Sequence, residues 1–153
     1  MARTTPQPQR LRQTSRKNLP TPVAILERLE RAMKQMREWP NTWQVDEPDL
    51  PYGEGLLAEL KPFVTHLITV EQLSASSINR HLGYLFLLGG EIISQINYFE
   101  EKRRLSPAKL LDQSIFEDGG PLCRHVADYQ QAHYDATCRK LYAFRHSRRP
   151  KSR

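Results

Sequence analysis

The segment LSASSINRHLGYLFLLGGEIISQI, residues 73–96, decides the fold predicted for this chain. Ser74 is a suitable helix cap, because a serine oxygen in that position accepts a hydrogen bond from the first turn of a helix. At about 100° per residue, the apolar residues after it recur on one helical face. This face comprises Ile78, Leu82, Leu85, Gly89, Ile92 and Ile96. Residues 86–88 extend the apolar surface further round the helix, so the pattern predicts a long helix in the centre of a hydrophobic core.

The glycines of this segment leave two interpretations open. The pair Gly89-Gly90 could break the helix or lie within it, and the unbroken apolar period favours a continuous helix. Gly83 and Gly90 are one heptad apart on a flank of the helix. We expect their missing side chains to let a neighbouring helix approach closely.

Capping residues and apolar spacing predict further helices on both sides. Thr21 and Pro22 are typical of a helix start, as are Ser106 and Pro107. The predicted helices cover residues 22–39, 53–68, 75–96, 107–111 and 121–146. Pro62 should bend or split the second of them, because proline lacks the backbone donor that a helix interior requires.

No stretch with a period of two residues and no internal repeat is present, so we predict an all-α fold. A chain of 153 residues is long enough for one hydrophobic core. We expect a single bundle of four long helices plus one short helix over residues 21–146. A basic, flexible arm at residues 1–20 and a basic tail at residues 147–153 would flank it.

The charge is divided between the ends and the body of the chain. Residues 1–18 contain five cationic side chains and no acid, and residues 139–153 contain seven and no acid. Because the whole chain carries +6, the part between them carries −6. Basic ends poor in apolar residues favour a polyanionic partner, of which nucleic acid is the commonest, although such ends can also serve solubility alone.

Two cysteines are too few for a disulfide framework, and no metal site is predicted. Cys123 and Cys138 would lie about 22 Å apart on one continuous helix, too far for a disulfide, so we expect free thiols. With His125 and His133 they form a set of zinc-ligand types, but helical geometry would point them to different faces. We expect His133 to be a histidine at the edge of the core.

Other chemistries lack their sequence patterns. The Gly-containing pairs have no phosphate-loop context, no Gly-x-Ser-x-Gly motif is present, and the acidic pairs fall in predicted surface connections. We therefore predict neither an enzyme nor a cofactor. The longest apolar run, residues 82–93, is too short to span a membrane, and we expect a cytoplasmic protein that does not associate with membranes.

The segment from Leu73 to Leu88 resembles a known family motif. In the core-binding, SAM-like N-terminal domain of tyrosine recombinases and phage integrases, the corresponding stretch reads Leu-Ser-x-x-Thr-Ile-x-x-Tyr-Leu-x-x-Leu. Here Ser77 stands at the Thr position, Ile78 matches, and His81 replaces the Tyr. The resemblance covers about 25 residues, and it implies a helical domain that packs on duplex DNA through the polar first turn of this helix.

The chain departs from a complete recombinase, because the catalytic domain is not recognisable. His146 and Arg149 match only a fragment of its His-x-x-Arg motif, and no tyrosine nucleophile follows. Strand-transfer catalysis is therefore not predicted. We expect a non-catalytic DNA-binding protein, such as an accessory factor of a mobile element with a recombinase or transposase partner.

The residues expected to contact DNA lie in the two basic ends and in the first turns of the third long helix. A helix N-terminus favours phosphate through its dipole and its free backbone donors, and arginine and lysine add contacts independent of sequence. The predicted set is Arg10, Arg12, Arg16, Lys17, Ser77, Asn79, Arg80, Arg148 and Arg149.

The alternative function is a helical adaptor for a protein partner, with incidental basic tails. Trp39, Trp43 and Tyr52 surround a proline-rich connection and could form an exposed aromatic anchor. They could equally fasten that connection onto the core.

Overall fold

The computed structural model describes residues 19–123 and 126–147 of this chain. These residues are mainly helical and contain no β-strand, which confirms the predicted all-α class. The α-helices are α1 (Pro22–Met36), α2 (Trp39–Trp43), α3 (Leu50–Thr69), α4 (Ala75–Tyr98), α5 (Pro107–Ser114) and α6 (Asp128–Ser147). Single 3₁₀ segments precede α3 at Glu47–Asp49 and follow α4 at Glu100–Arg104.

Helices α3 and α4 form the centre of the core. They pack against each other, and each also contacts α1, α2, α5 and α6. All six residues of the predicted face of α4 are buried: Ile78, Leu82, Leu85, Gly89, Ile92 and Ile96. A fully buried Leu or Ile contributes about 1.5–3 kcal/mol relative to an exposed one, so this face is a main source of stability.

Three helix starts agree with the sequence predictions. The side-chain oxygens of Thr21, Ser74 and Ser106 accept hydrogen bonds from backbone N–H groups three residues later, over 3.1 to 3.2 Å. Each such cap satisfies a donor that the helix itself leaves unpaired, which is worth about 1 kcal/mol.

The helix boundaries near two prolines differ from those predicted from the sequence. Helix α1 ends at Met36, and Pro40 lies in the first turn of the separate short helix α2. A proline is tolerated there because first-turn N–H groups have no helical partner in any case. Pro62 lies inside α3, which is continuous from Leu50 to Thr69, so the helix is not split at this residue, and the predicted bend near Lys61 stays a prediction.

The two tryptophans of α2 are buried rather than exposed. Trp39, Trp43 and Phe86 form one aromatic cluster with ring centroids 5.7 to 6.1 Å apart. The indole Nε1 of Trp43 donates a hydrogen bond to the carbonyl oxygen of Phe86, at 2.9 Å. The aromatic residues therefore fasten the connection onto α4, and the interpretation as an exposed anchor is wrong.

Gly89 provides the space for this cluster, and α4 continues through it as expected. A Cβ atom at residue 89 would overlap the six-membered ring of Trp43, whereas one at residue 90 would lie at an ordinary 3.5 Å. Among the described residues, and apart from the adjoining backbone of α4 itself, Gly83 has no atom within 4 Å of such a Cβ position. The close approach therefore involves an indole at Gly89, and the helix contact predicted at Gly83 is wrong.

The last helix begins later than predicted, at Asp128 instead of residue 121. Residues 120–123 instead run over α6 without helical structure. The side chain of Gln131 accepts from the N–H of Cys123 and donates to the carbonyl of Pro121. Asp135 accepts from the N–H of Gly120.

This course brings the two cysteines closer than the predicted 22 Å. Cys123 is not on α6, and both thiols are electrostatic neighbours of the buried Tyr134 hydroxyl. Both cysteines are free. Burial raises the pKa of Cys138 to about 12 and also raises that of Cys123, so both are protonated at neutral pH and poor nucleophiles.

A buried carboxylate, which the sequence analysis did not single out, stabilises the start of α3. Asp49 accepts hydrogen bonds from the backbone N–H groups of residues 45 and 46, from Asn97 and from Arg103. Burial raises the pKa of this carboxyl, but these hydrogen bonds outweigh burial and lower it to about 2. The charged form is therefore the one that the fold stabilises.

Candidate nucleic-acid interface

The first turns of α4 separate an exposed edge from a buried one. Asn79 and Arg80 are exposed, as predicted for a DNA-contacting pair, whereas Ile78 and His81 point into the core. Ser77 is half-buried, and its backbone N–H donates a hydrogen bond to the Ser74 side chain. Its own hydroxyl oxygen accepts a hydrogen bond from the Ser74 hydroxyl, at 3.1 Å. Ser77 therefore closes the helix cap, and of the predicted residues on α4 only Asn79 and Arg80 present free side chains to a ligand.

Helix α1 adds two arginines that the sequence analysis did not select. Arg28 and Arg31 line the same shallow depression as Asn79, with Ile78 and Leu82 among its apolar contacts. Arg28 Nη1 donates to the carbonyl of Leu73 at 3.0 Å and so holds the segment before α4 against α1. Arg28 and Arg31 are three residues apart, which places both side chains on one helical face. This spacing is the only signal in the sequence that could have identified them as a pair.

The cationic groups of this surface are not neutralised within the part of the chain that the structure describes. No ion pair within 4.0 Å involves Arg28, Arg31 or Arg80 in residues 19–123 and 126–147. We call the set Arg28, Arg31, Asn79 and Arg80 the α1–α4 basic surface. It combines guanidinium groups with an amide beside a helix N-terminus, which are groups suited to phosphate.

His81 is a packing residue and not part of this surface. Its Nδ1 lies 2.8 Å from the hydroxyl of Thr137, a hydrogen bond that joins α4 to α6. Burial lowers the pKa of His81, and the nearby charges of Lys140 and Arg80 lower it further, while Glu71 acts in the opposite direction. The ring is therefore held in its neutral form.

Two cations of the C-terminal basic run are already paired with acids of the body. Lys140 lies 2.7 Å from Glu71. The Arg145 guanidinium bridges Glu59 at 3.0 Å and Asp112 at 2.9 Å, joining α6 to α3 and α5. The prediction that treated all of residues 139–153 as a free basic end is therefore wrong for these two side chains.

The remaining predicted contacts lie outside the described residues. These are Arg10, Arg12, Arg16, Lys17, Arg148 and Arg149. The arm at residues 1–20 and the tail at residues 147–153 stay predictions for the same reason, apart from residues 19, 20 and 147.

The histidine and cysteine set does not form a ligand cluster in the described ranges. His133 is exposed, with its ring edge-on to Tyr129, so its assignment to the edge of the core is wrong. His125 lies outside the described residues. Among residues 19–123 and 126–147, no group of three or more His, Cys, Asp or Glu side chains is arranged to hold a metal ion.

No protein-family model, curated protein or solved structure matches this chain. The resemblance to core-binding domains therefore depends on the residues of the segment from Leu73 to Leu88 alone. None of the helices in the described ranges is both long enough and apolar enough to cross a bilayer.

Proposed function

We propose that this protein is a non-catalytic DNA-binding protein whose α1–α4 basic surface contacts the phosphate backbone of a duplex. The observation that carries the proposal is the exposed pair Asn79 and Arg80 on α4, with Arg31 beside Asn79, and with no ion pair of either arginine among the described residues. The two basic ends would add contacts independent of sequence. The single four-helix bundle and the cytoplasmic location expected from the sequence belong to this proposal.

The geometry supports backbone contact better than base reading. Arg80 follows the first turn of α4, where the partial positive charge of the helix dipole adds to that of the guanidinium. Arg31 lies beside Asn79 on a second helix, so arginines from two different helices could contact the phosphates of one duplex. Such contacts position a protein on DNA without selecting a sequence, and a recombinase or transposase partner could then supply the site preference.

A salt titration of DNA binding tests the proposal. The full chain is mixed with a labelled duplex, and the dissociation constant is measured by fluorescence anisotropy over a range of salt concentrations. Each phosphate contact contributes about 0.9 to the slope of log affinity against log salt. The double variant Arg31→Ala/Arg80→Ala should therefore lower that slope by about 2 units.

A control double variant removes two positive charges from a different part of the helical domain. Lys61 and Lys109 are exposed and, like Arg31 and Arg80, have no ion pair within the described residues. Lys61→Ala/Lys109→Ala should leave the slope within about half a unit of wild type. Equal losses in both double variants would reject the α1–α4 basic surface, and absence of binding at low salt would reject DNA binding altogether.

The basic ends are tested separately. Removal of residues 1–18 and 148–153 should flatten the slope further, because five and four cations respectively lie in those segments. If the truncated chain keeps the wild-type slope, the ends make no phosphate contacts.

The helical adaptor stays the alternative function. It no longer rests on Trp39 and Trp43, which are buried. A partner recovered from native extract after nuclease digestion would favour it over DNA binding.

A further inference from the structure

Two neighbouring depressions lie along α4, where residues 116, 121–123 and 126 line them on the other side. The first has a volume of about 360 Å³ and includes Trp43, Leu87 and Gly90 in its lining. The second has a volume of about 690 Å³ and includes Tyr98, Phe116 and Leu122. Glu91 lines both, so the depressions meet at this residue. We call the combined feature the α4 groove.

The α4 groove collects large apolar side chains that are exposed to solvent. Tyr98 is 82% exposed and Leu122 is 73% exposed, and Leu87, Phe99 and Phe116 are also exposed. Exposed apolar side chains scattered singly are ordinary, whereas a contiguous group of them marks an interaction surface. Five around one groove therefore indicate that something apolar covers it.

The wall opposite α4 is held in place by hydrogen bonds. Phe116 and Gly119 exchange backbone hydrogen bonds of 2.7 and 3.2 Å. Gln131 and Asp135 of α6 fix the backbone of Gly120, Pro121 and Cys123. The groove is therefore formed before a partner binds, which lowers the entropic cost of binding.

The length and backbone chemistry of the groove fit a helix. Leu87 and Tyr98 are eleven residues apart on α4, which corresponds to about 17 Å, or about three helical turns. The described residues beside the groove offer apolar side chains and no sheet edge, so an extended peptide would find no ladder of backbone partners. A helix satisfies its own backbone hydrogen bonds and can present only its apolar face.

The charge at the centre of the groove is negative. Glu91 is half-buried, and its carboxylate accepts only a long 3.4 Å hydrogen bond, from Gln95, among the described residues. Among the described lining residues the other charged one is Lys102, whose ammonium donates to Gln95 at 2.9 Å and lies over the Phe99 ring. A cation would therefore complement the middle of the groove.

We propose that the α4 groove binds an amphipathic helix of a partner protein, with a lysine or arginine in its apolar face opposite Glu91. Leucine-type side chains of that helix would cover Leu87 on one side of Glu91 and Tyr98, Phe116 and Leu122 on the other. This inference concerns a different surface from the α1–α4 basic surface, and it does not depend on DNA binding.

Synthetic helical peptides test the proposal. Three labelled peptides of about eighteen residues carry leucine at i, i+3, i+4 and i+7 on one face and glutamine or serine elsewhere. They differ only at the centre of the apolar face, where they carry Lys, Gln or Glu. Binding to the full chain is measured by anisotropy, and the fluorescence of the native tryptophans reports occupancy near Trp43.

The wild-type chain should bind the Lys peptide about tenfold more tightly than the Glu peptide. Glu91→Lys should reverse that order, and Glu91→Gln should remove it. Circular dichroism of each variant checks that the helical content is unchanged. If Glu91→Lys fails to fold, the Gln variant, which keeps the shape of the side chain, still decides the point.

A second pair of variants tests the apolar contacts. Leu122→Ser should weaken all three peptides by about tenfold, because the leucine side chain would no longer be buried against the apolar face of the peptide. Val45→Ser removes an equally exposed apolar side chain outside the groove and should change nothing. The proposal is overturned if no peptide binds, if the preference for Lys is the same in all Glu91 variants, if Leu122→Ser has no effect, or if a proline-rich peptide of equal length binds more tightly.

Discussion

Gly89→Ala tests the packing of α2 on α4 most directly. A methyl group at this position would overlap the Trp43 ring and force the indole to move. Overpacking of this kind costs about 1–3 kcal/mol, and loss of the Trp43–Phe86 hydrogen bond costs about 1 kcal/mol more. The higher helix propensity of alanine returns about 1 kcal/mol, so the free energy of unfolding should fall by about 1–3 kcal/mol.

Two other glycines of α4 serve as internal controls. Gly83→Ala meets no atom of another described element within 4 Å and should raise the free energy of unfolding by up to about 1 kcal/mol. Gly90→Ala places its Cβ at an ordinary 3.5 Å from Trp43 and should be neutral or slightly stabilising. Urea unfolding followed by circular dichroism measures all three. If Gly89→Ala and Gly83→Ala have the same stability within about 0.5 kcal/mol, the indole does not pack over Gly89 and the fold around α2 is wrong.

Two further predictions concern pH. Because the Asp49 pKa is lowered from 3.8 to about 2, its charge adds about 2 kcal/mol of stability above pH 4, which is lost as the pH falls from 4 to 2. Asp49→Asn should remove that component. The difference in the free energy of unfolding between pH 7 and pH 3, measured by urea titration, should therefore be smaller for the variant than for wild type. An equal difference would contradict the buried hydrogen-bond network around Asp49. Because the pKa of His81 is lowered in the folded protein, its full contribution to the free energy of unfolding is present above pH 6.5. This contribution decreases as the pH falls below 6.5, since the unfolded chain then takes up a proton at His81 more readily than the folded one. His81→Gln, which can still hydrogen-bond to Thr137, should show a melting temperature less sensitive to pH between 7.5 and 5.5, and an unchanged sensitivity would place the effect elsewhere.

The sequence predicted those features that depend on neighbouring residues. The cap at Ser74 and the apolar face of α4 follow from spacing within a few turns, and both are confirmed. The same is true of the starts at Thr21 and Ser106. In each case the physical cause lies within four residues of its effect.

Features that depend on contacts across the fold could not be obtained in this way. Gly89 looks like any helical glycine until Trp43, 46 positions earlier, is placed against it. Asp49 reads as one acid in a surface connection, and only the approach of Asn97 and Arg103 makes it a buried, paired carboxylate. The apolar spacing after Pro121 continues the period of α6, but Gln131 and Asp135 hydrogen-bond the backbone there and keep it out of the helix.

The division of charge was partly misleading for a related reason. Counting residues along the chain assigned Lys140 and Arg145 to a basic end, whereas α6 carries both back onto the acids of α3, α5 and the α3–α4 connection. The cations that remain unpaired on the described body include Arg31 and Arg80, which come from different helices. Because Arg31 and Arg80 are far apart in the sequence, the basic surface could not be predicted from it. For the same reason, the number of unpaired cations near the C-terminus was overestimated.

The positions of the two proposed surfaces on α4 decide how they relate to each other. Arg80 is near the N-terminus of this helix, and Glu91, at the centre of the groove, is 11 positions further on, which corresponds to about 17 Å along the axis. Charges separated by that distance are screened from each other at physiological ionic strength, where the Debye length is about 8 Å. The charge of Glu91 should therefore have little effect on a phosphate bound at Arg80, so the DNA-binding and adaptor hypotheses do not exclude each other on electrostatic grounds. Their variants should act independently: Glu91→Lys should leave the salt dependence of DNA binding unchanged, and Arg31→Ala/Arg80→Ala should leave the peptide preference unchanged, because sites this far apart without a shared partner have additive effects.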